Sequence, residues 1–349
     1  MANFHRLSVK DITRETSKAV SLTFEVPTNL KTEFKFKAGQ YITLKCDIDG
    51  EEVRRDYSLC AAPLENELKV AVKEVEDGTF SKYANTVLKP GDDLEVAPPN
   101  GRFIFDPETN KGNIALFAAG SGITPVLGIL KCALEQTDKQ VVLIYGNKSQ
   151  SDAMFLDEIL QLRGDYKGRF HVQLVFSQED VEDAVFGRIE KSTVNFALKN
   201  KFKNISVGTY YLCGPEPMIH TVKDVLVENG ADESDIKFEL FQVTATADDN
   251  TTEIANGNTE VTVILDDETF KFQMSQESSI LDAALEEDID APYSCQGGIC
   301  STCLAKLTEG KATMRQNNIL TDSELEEGLI LTCQAHPTTP KIVVDYDDV

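Results

Sequence analysis

The apolar positions of the chain change period twice. From Phe4 to about Phe105 they form short runs, HRLSVKDI, AVSLTFEV, QYITLKCDI, RDYSLCA and ELKVAVKEV, punctuated by Asn-Leu-Lys, Asp-Gly and Asn-Glu. A period of two between turn residues predicts strands, and several short strands with regular turns predict a small antiparallel barrel. One helix fits at 81–88, ahead of Lys89-Pro90-Gly91-Asp92. Beyond Asn113 the pattern alternates: NIALFAA, QVVLIYG, FHVQLVF, TYYLCG and FELFQV read as strands, TPVLGILKCALE and SDAMFLDEILQLR as helices. A further helix is expected from Pro215 to about Glu228. Such alternation predicts an open, mostly parallel α/β sheet.

The last stretch begins with two strand-like runs, EVTVILD and TFKFQM. Ser278 or Ser279 then caps a short helix, ILDAALEEDI, and Thr321-x-x-Glu324 has the spacing of a capping box before a final strand, KIVVDY. The segment TATADDNTTEIANGN is polar and reads as a flexible linker with a reach on the order of 20 Å. The expected organisation is therefore 1–108, 109–242, a linker at 243–259, and 260–349.

Charge sharpens this division. The 349 residues carry 34 Lys and Arg against 58 Asp and Glu, a net charge of −24. Residues 260–349 hold 18 of the acids and only 5 of the bases, so the last quarter is a distinctly acidic unit. A polyanion repels nucleic acid and anionic lipid, so neither is an expected partner. No run reaches the ~18 apolar residues of a membrane span, and MANFHRLSVKDIT lacks the layout of a signal peptide. A cytoplasmic protein is expected.

Of eight cysteines, Cys46, Cys60, Cys132 and Cys213 are scattered, while Cys295, Cys300, Cys303 and Cys333 crowd the C-terminal end. A chain of this length needs no disulfide staples. The spacing C-x4-C-x2-C, then 29 intervening residues and Cys333, is that of a plant-type [2Fe–2S] site. Gly297 and Gly298 allow the backbone to approach the cluster and aim N–H groups at sulfur. The alternatives are a zinc site, disulfides or inert core thiols; structural zinc usually shows two paired knuckles, whereas here the fourth cysteine stands alone. With Leu331-Thr-Cys-Gln334, residues 260–349 resemble a plant-type ferredoxin domain, which implies an α+β β-grasp fold.

Two further motifs precede it. Arg55-Asp56-Tyr57-Ser58 lies on an expected strand, and Gly78-Thr79-Phe80-Ser81 follows at a helix start suited to a pyrophosphate. An Arg can hold phosphates and a Tyr can stack on an isoalloxazine ring, although either also serves simply as a strand residue. Together they resemble the flavin motifs of the ferredoxin–NADP reductase superfamily. The resemblance implies an FAD-binding barrel in which Arg55 meets phosphate, Tyr57 the ring face and Ser58 the N5 edge. Asp56, Val72, Lys73 and Gly78–Ser81 complete that candidate site.

Ala119-Gly120-Ser121-Gly122-Ile123-Thr124-Pro125 joins a strand to a helix, with Thr124 the expected N-cap and Pro125 the first helical residue. Alone it is a well-made βα turn and a weak dinucleotide signal. Cys213-Gly214-Pro215, followed by Met218, resembles the nicotinamide segment of the same superfamily, which places Cys213 beside the hydride path; its plain reading is a small buried hydrophobe. Lys148 and Ser149 suit a 2′-phosphate, favouring NADPH, with NADH the alternative. Phe241 is a candidate gate near the flavin, or else a core residue. The catalytic candidates are thus Ser58, Cys213 and Phe241.

The resemblance implies an oxidoreductase in which FAD converts a two-electron donor into single electrons for the cluster. The implied acceptor is a di-iron oxygenase component, with another oxygenase, a desaturase or a separate redox protein as rivals. A zinc-stabilised scaffold without catalysis is the reading outside this class.

Overall fold

A computed structural model describes residues 4–241 and 256–349, which fall into two compact units, one of them His5–Phe241. Residues 243–255 of the expected linker lie outside the described residues, whereas Asn258 and Thr259 already begin a strand.

The alternating runs of the first hundred residues form β1 (His5–Thr16), β2 (Ala19–Glu25), β3 (Tyr41–Ile48), β4 (Glu51–Ser58), β5 (Leu68–Lys73) and β6 (Asp93–Val96). They pair antiparallel in the order β4-β3-β6-β1-β2-β5. A bridge between Leu59 and Val70 brings the two end strands together and closes the barrel. Helix α1 (Thr79–Thr86) seals it with buried Phe80 and Ala84. It starts two residues before the expected position because Gly78 is the extended N-cap. The Ser81 hydroxyl accepts from the Val75 N–H at 3.2 Å and thereby folds the preceding turn.

Six parallel strands follow: β7 (Asn113–Ala119), β8 (Val141–Asn147), β9 (Phe170–Phe176), β10 (Val185–Phe186), β11 (Val207–Cys213) and β12 (Ile236–Glu239). Their order is β10-β9-β8-β7-β11-β12, so the direction of winding reverses between β7 and β11. Helices α2 (Ile123–Gln136), α3 (Leu156–Asp165), α4 (Lys191–Asn195) and α5 (Glu216–Glu228) accompany them. The single helix expected over 151–163 is instead a 3-10 turn, Gln150–Asp152, and then α3. Phe155 takes φ +59° between them, with Ala153 and Met154 turned into the core.

Barrel and sheet share one core: Ala38, Cys60, Phe103 and Phe105 pack with residues of α2 and β7. A β-carbon on Gly128 of α2 would lie 2.9 Å from the Leu59 carbonyl oxygen, so glycine lets the helix press against the barrel. Buried Lys131, one turn on, pairs with Glu65 at 3.2 Å and Glu158 at 2.5 Å.

The C-terminal unit contains β13 (Asn258–Leu265), β14 (Glu268–Ser275), α6 (Ile280–Glu286), β15 (Leu304–Glu309), β16 (Ala312–Met314), α7 (Asp322–Glu326), β17 (Leu329–Leu331), β18 (Ala335–Pro337) and β19 (Lys341–Asp345). Its sheet runs β14-β13-β19-β15-β17, with β13 and β19 parallel, and β16 pairs with β18. Ser279 is the cap of α6, accepting from the Asp282 N–H at 3.1 Å. Glu324 accepts from the Thr321 N–H at 2.8 Å and completes the capping box at α7. The antiparallel barrel, parallel α/β sheet and α+β terminal domain expected from the sequence are all present.

Candidate functional site

Ligands of an open α/β sheet bind beyond the strand C-termini where the winding reverses. Here that point is the pair of loops after β7 and β11. The first, Gly120–Gly122, is a 3-10 turn running directly into α2, with Gly120 at φ +55°. A β-carbon on Gly122 would collide with the Cys213 carbonyl and lie 2.7 Å from the Gly214 nitrogen. The two loops therefore touch through backbone alone, and a side chain on Gly122 would part them.

Thr124 is not the N-cap expected from the sequence. Helix α2 begins at Ile123, whose N–H already bonds the Gly120 and Ser121 carbonyls, and the Thr124 hydroxyl donates to the Ser121 carbonyl at 3.0 Å. Pro125 is accordingly the third helical residue rather than the first. Ile123, Thr124 and Pro125 are buried, so their side chains support the turn. Gly214 packs against Ala119, and buried Met218 lies against Gly214. Pro215 is exposed at the head of α5.

At the end of β8, Lys148 is exposed, while the Ser149 hydroxyl donates to Asp152 at 2.6 Å. The Gln150 N–H donates to Glu179 at 2.7 Å, so two carboxylates border the loop expected to take a 2′-phosphate. Lys73 reaches toward this region from β5, its amine 3.7 Å from where a β-carbon on Gly120 would be. Burial lowers the Lys73 pKa, opposed by nearby Asp152 and reinforced by Lys148.

The flavin candidates lie on β4 and β5, the strands that close the barrel, and on the turn that follows. The Tyr57 ring stands 5.4 Å from Phe80 at 37°. Burial raises the Tyr57 pKa, so its phenol stays neutral. Arg55 is exposed and donates to the Arg54 carbonyl at 2.6 Å. Asp56 accepts from Thr43 at 2.6 Å, a cross-strand strut between β3 and β4. Val72, Phe80 and Ser81 are buried and hold the turn. Thr79 and the backbone of Gly78 remain open to a ligand at the start of α1, beside an Arg-bearing strand, a donor set suited to a diphosphate.

Barrel and sheet meet at three polar side chains. Ser58 donates to Glu239 at 3.4 Å, and Glu239 stands opposite Cys213 in the parallel register of β11 and β12. Burial pushes the Glu239 carboxyl up to about 8, against the lowering effect of the Ser58 hydrogen bond. Burial also pushes the Cys213 thiol far up, with Glu239 adding to it. Near neutral pH all three are uncharged. Sequence reasoning does not single out Glu239; the one signal it offers is an acid between apolar neighbours at a strand end. Phe241 is half-buried against the α/β core.

In the C-terminal unit the four cysteines come together two by two. Cys295 bonds Cys300, and Cys303 bonds Cys333. The Cys300 bond, with N–H groups of Gly297, Ile299 and Cys300, lowers the Cys295 thiol to about 5. Gly297 donates to Cys295 at 3.4 Å, and the Gly298 N–H bonds Cys333. None of the eight cysteines forms a disulfide. Among the described residues, no three Cys, His, Asp or Glu side chains gather into a single-ion site. Two thiol pairs lined with backbone donors fit a binuclear iron–sulfur cluster.

Three families match in the same order: an oxidoreductase FAD-binding domain over residues 6–105, an oxidoreductase NAD-binding domain over 116–224, and a 2Fe-2S iron-sulfur cluster binding domain over 263–338. One of the subunits of the 1,2-phenylacetyl-CoA epoxidase of Escherichia coli K12 is 37% identical, over 99% of this chain and 99% of its own. The chain belongs to the ferredoxin–NADP reductase superfamily. Its branch carries a ferredoxin-type domain on the same polypeptide, and the chain is a reductase component of an oxygenase system, with FAD-binding, NAD-binding and [2Fe–2S] domains. The ferredoxin reductase component of a 3-ketosteroid-9-alpha-monooxygenase from Rhodococcus rhodochrous is 32% identical over 97% of this chain and 96% of that one. Phthalate dioxygenase reductase has the same fold, with a TM-score of 0.62 at 23% identity, over 98% of each chain. No helix among the described residues is long and apolar enough to cross a membrane.

Proposed function

We propose that this chain takes electrons from NADPH and delivers them, by way of FAD and the [2Fe–2S] cluster, to the di-iron oxygenase of a phenylacetyl-CoA epoxidase in the cytoplasm. The observation that carries the acceptor is the end-to-end identity of 37% to a subunit of such an epoxidase. The loop Cys295–Cys303, Asn318-Ile-Leu320, Leu331-Thr-Cys-Gln334 and Val343-Val-Asp-Tyr-Asp347 agree with it. The proposed domains are 1–108 for FAD, 109–242 for the nucleotide, 243–259 as linker and 260–349 for the cluster.

FAD and the cluster together supply the conversion of a two-electron donor into single electrons. The chain's own residues have simpler tasks. Arg55, Thr79 and the N–H groups at Gly78 hold the flavin diphosphate, while Tyr57, backed by buried Phe80, faces its ring. Gly120–Gly122 and Gly214 let the nucleotide approach the backbone at the switch point, and Lys148 neutralises its 2′-phosphate. Ser58, Cys213 and protonated Glu239 present an uncharged face to the reacting rings, which keeps water and stray charge away. Phe241, at the end of the same unit, gates access to this face. Cys295, Cys300, Cys303 and Cys333 ligate the two irons.

The test is an anaerobic absorbance titration with NADPH and then NADH, followed by turnover with purified oxygenases. NADPH should bleach the flavin bands and then the cluster bands at lower concentration than NADH. The phenylacetyl-CoA epoxidase oxygenase should then turn over. Turnover only with a different oxygenase, or a preference for NADH, would overturn the corresponding part of the assignment.

A further inference from the structure

Two side-chain amides of the loop around the cysteines find partners within the protein. Gln334 donates to the Gln296 carbonyl at 2.8 Å. Asn317 donates to the Leu320 carbonyl at 2.9 Å and accepts from the N–H groups of Ile319 and Leu320 at 3.3 and 2.9 Å. Asn318 differs. Its backbone N–H donates to the Gly298 carbonyl at 3.4 Å, seating it against the cysteine loop, yet its Nδ2 is buried and finds no acceptor in the protein. Among the described residues of the C-terminal unit, no other buried side-chain nitrogen or oxygen is left in this way.

An orphaned buried donor is costly, so an amide held in such a position implies an acceptor that the polypeptide itself does not provide. The acceptor-rich group expected beside this loop is the cluster. Gly298 touches both partners: its carbonyl accepts from Asn318, and its N–H bonds the Cys333 sulfur. We propose that the Asn318 side-chain amide donates a hydrogen bond to a sulfur of the cluster, a bridging sulfide or a ligand thiolate, and so raises its reduction potential. The proposal rests on the four cysteines ligating a [2Fe–2S] cluster. Reduction adds one electron and no proton, and the extra negative charge is shared by the sulfurs. A donor to sulfur therefore stabilises the reduced form more than the oxidised one.

The test uses the full-length holoprotein, with Asn318→Leu to remove the donor at similar size and Asn318→Asp to replace it with an isosteric acceptor. Iron and acid-labile sulfide content come first, because their absence from the wild type would overturn the ligand assignment and the proposal with it. With the cluster present, a redox titration followed by electron paramagnetic resonance reads the oxidised-to-reduced ratio. At a fixed solution potential that ratio should rise about tenfold in Asn318→Leu, or 59 mV for a one-electron couple. The Fe–S stretching bands in resonance Raman spectra should shift in heavy water less for the variant than for the wild type, which a purely structural role would not produce. A variant with full cluster, an unchanged ratio and an unchanged deuterium shift overturns the proposal. Should the Leu variant not hold its cluster, the Asp variant decides by the deuterium shift alone, because its added charge lowers the potential by itself.

Discussion

Glu239 is a single carboxyl through which stability depends on pH. Its folded value of about 8 lies above the 4.5 of an ordinary glutamate, so between those values the folded chain holds a proton that the unfolded chain has lost. Stability therefore falls as pH rises through this window, in contrast to a salt-bridged acid. Glu239→Gln should flatten the decline, with melting measured at pH 6 and pH 8.5. The gap should close by about 2–4 °C for each kcal/mol recovered. Reduction of the flavin by NADPH should slow above pH 8 in the wild type and lose that limb in the variant. At the other centre, Cys300→Ser should abolish the visible bands and paramagnetic signal of the cluster. NADPH-dependent reduction of ferricyanide at the flavin should stay within about twofold. The cysteines are legible because their spacing along the chain already encodes a cluster. Glu239 is not, because an acid at a strand end is ordinarily solvated and only the packing of barrel on sheet half-buries it beside Ser58.

At the scale of elements, the turn between β7 and α2 is the most tightly determined piece of the nucleotide domain. Gly122→Ala must displace the backbone of Cys213 and Gly214. We expect KM for NADPH to rise at least about tenfold while flavin content stays near that of the wild type, measured by steady-state kinetics and the absorbance of released flavin. The apolar pattern marks the long strands, by alternation in the barrel and by continuous apolar runs such as NIALFAA and QVVLIYG in the parallel sheet. It fails where a segment is too short or too bent to show a period. Val185–Phe186 is a two-residue strand, and Phe155, with φ +59°, splits one apolar run into a 3-10 turn and a helix. Thr124 resembles a cap for a related reason: a preceding 3-10 turn supplies the first carbonyls, and sequence alone does not distinguish that turn from a simple loop.

Over the whole molecule the net negative charge per residue is greatest in the C-terminal unit. Residues 260–349 contain 18 acids and 5 bases. Delivery to a protein acceptor with a basic face should slow as salt rises, because attraction between exposed charges is screened over ~10 Å at 0.1 M. Ferricyanide, itself an anion, should respond in the opposite sense or not at all. Stopped-flow traces with both acceptors from low to high salt would separate docking from a general salt effect, and a flat response with the protein acceptor would remove the docking role. This acidic bias is legible in the charge pattern alone, as is the three-part order of the chain.

The placement of β19 bears on how such a protein is made. This strand lies between β13 and β15 at the middle of its sheet, yet it is the last strand of its unit to leave the ribosome. All four cysteines are synthesised before the strand that completes the sheet, so a nascent chain exposes its thiols before it has a scaffold to hold them. The support around the cysteines is therefore complete only when the chain beyond Cys333 has threaded back into the middle of the sheet.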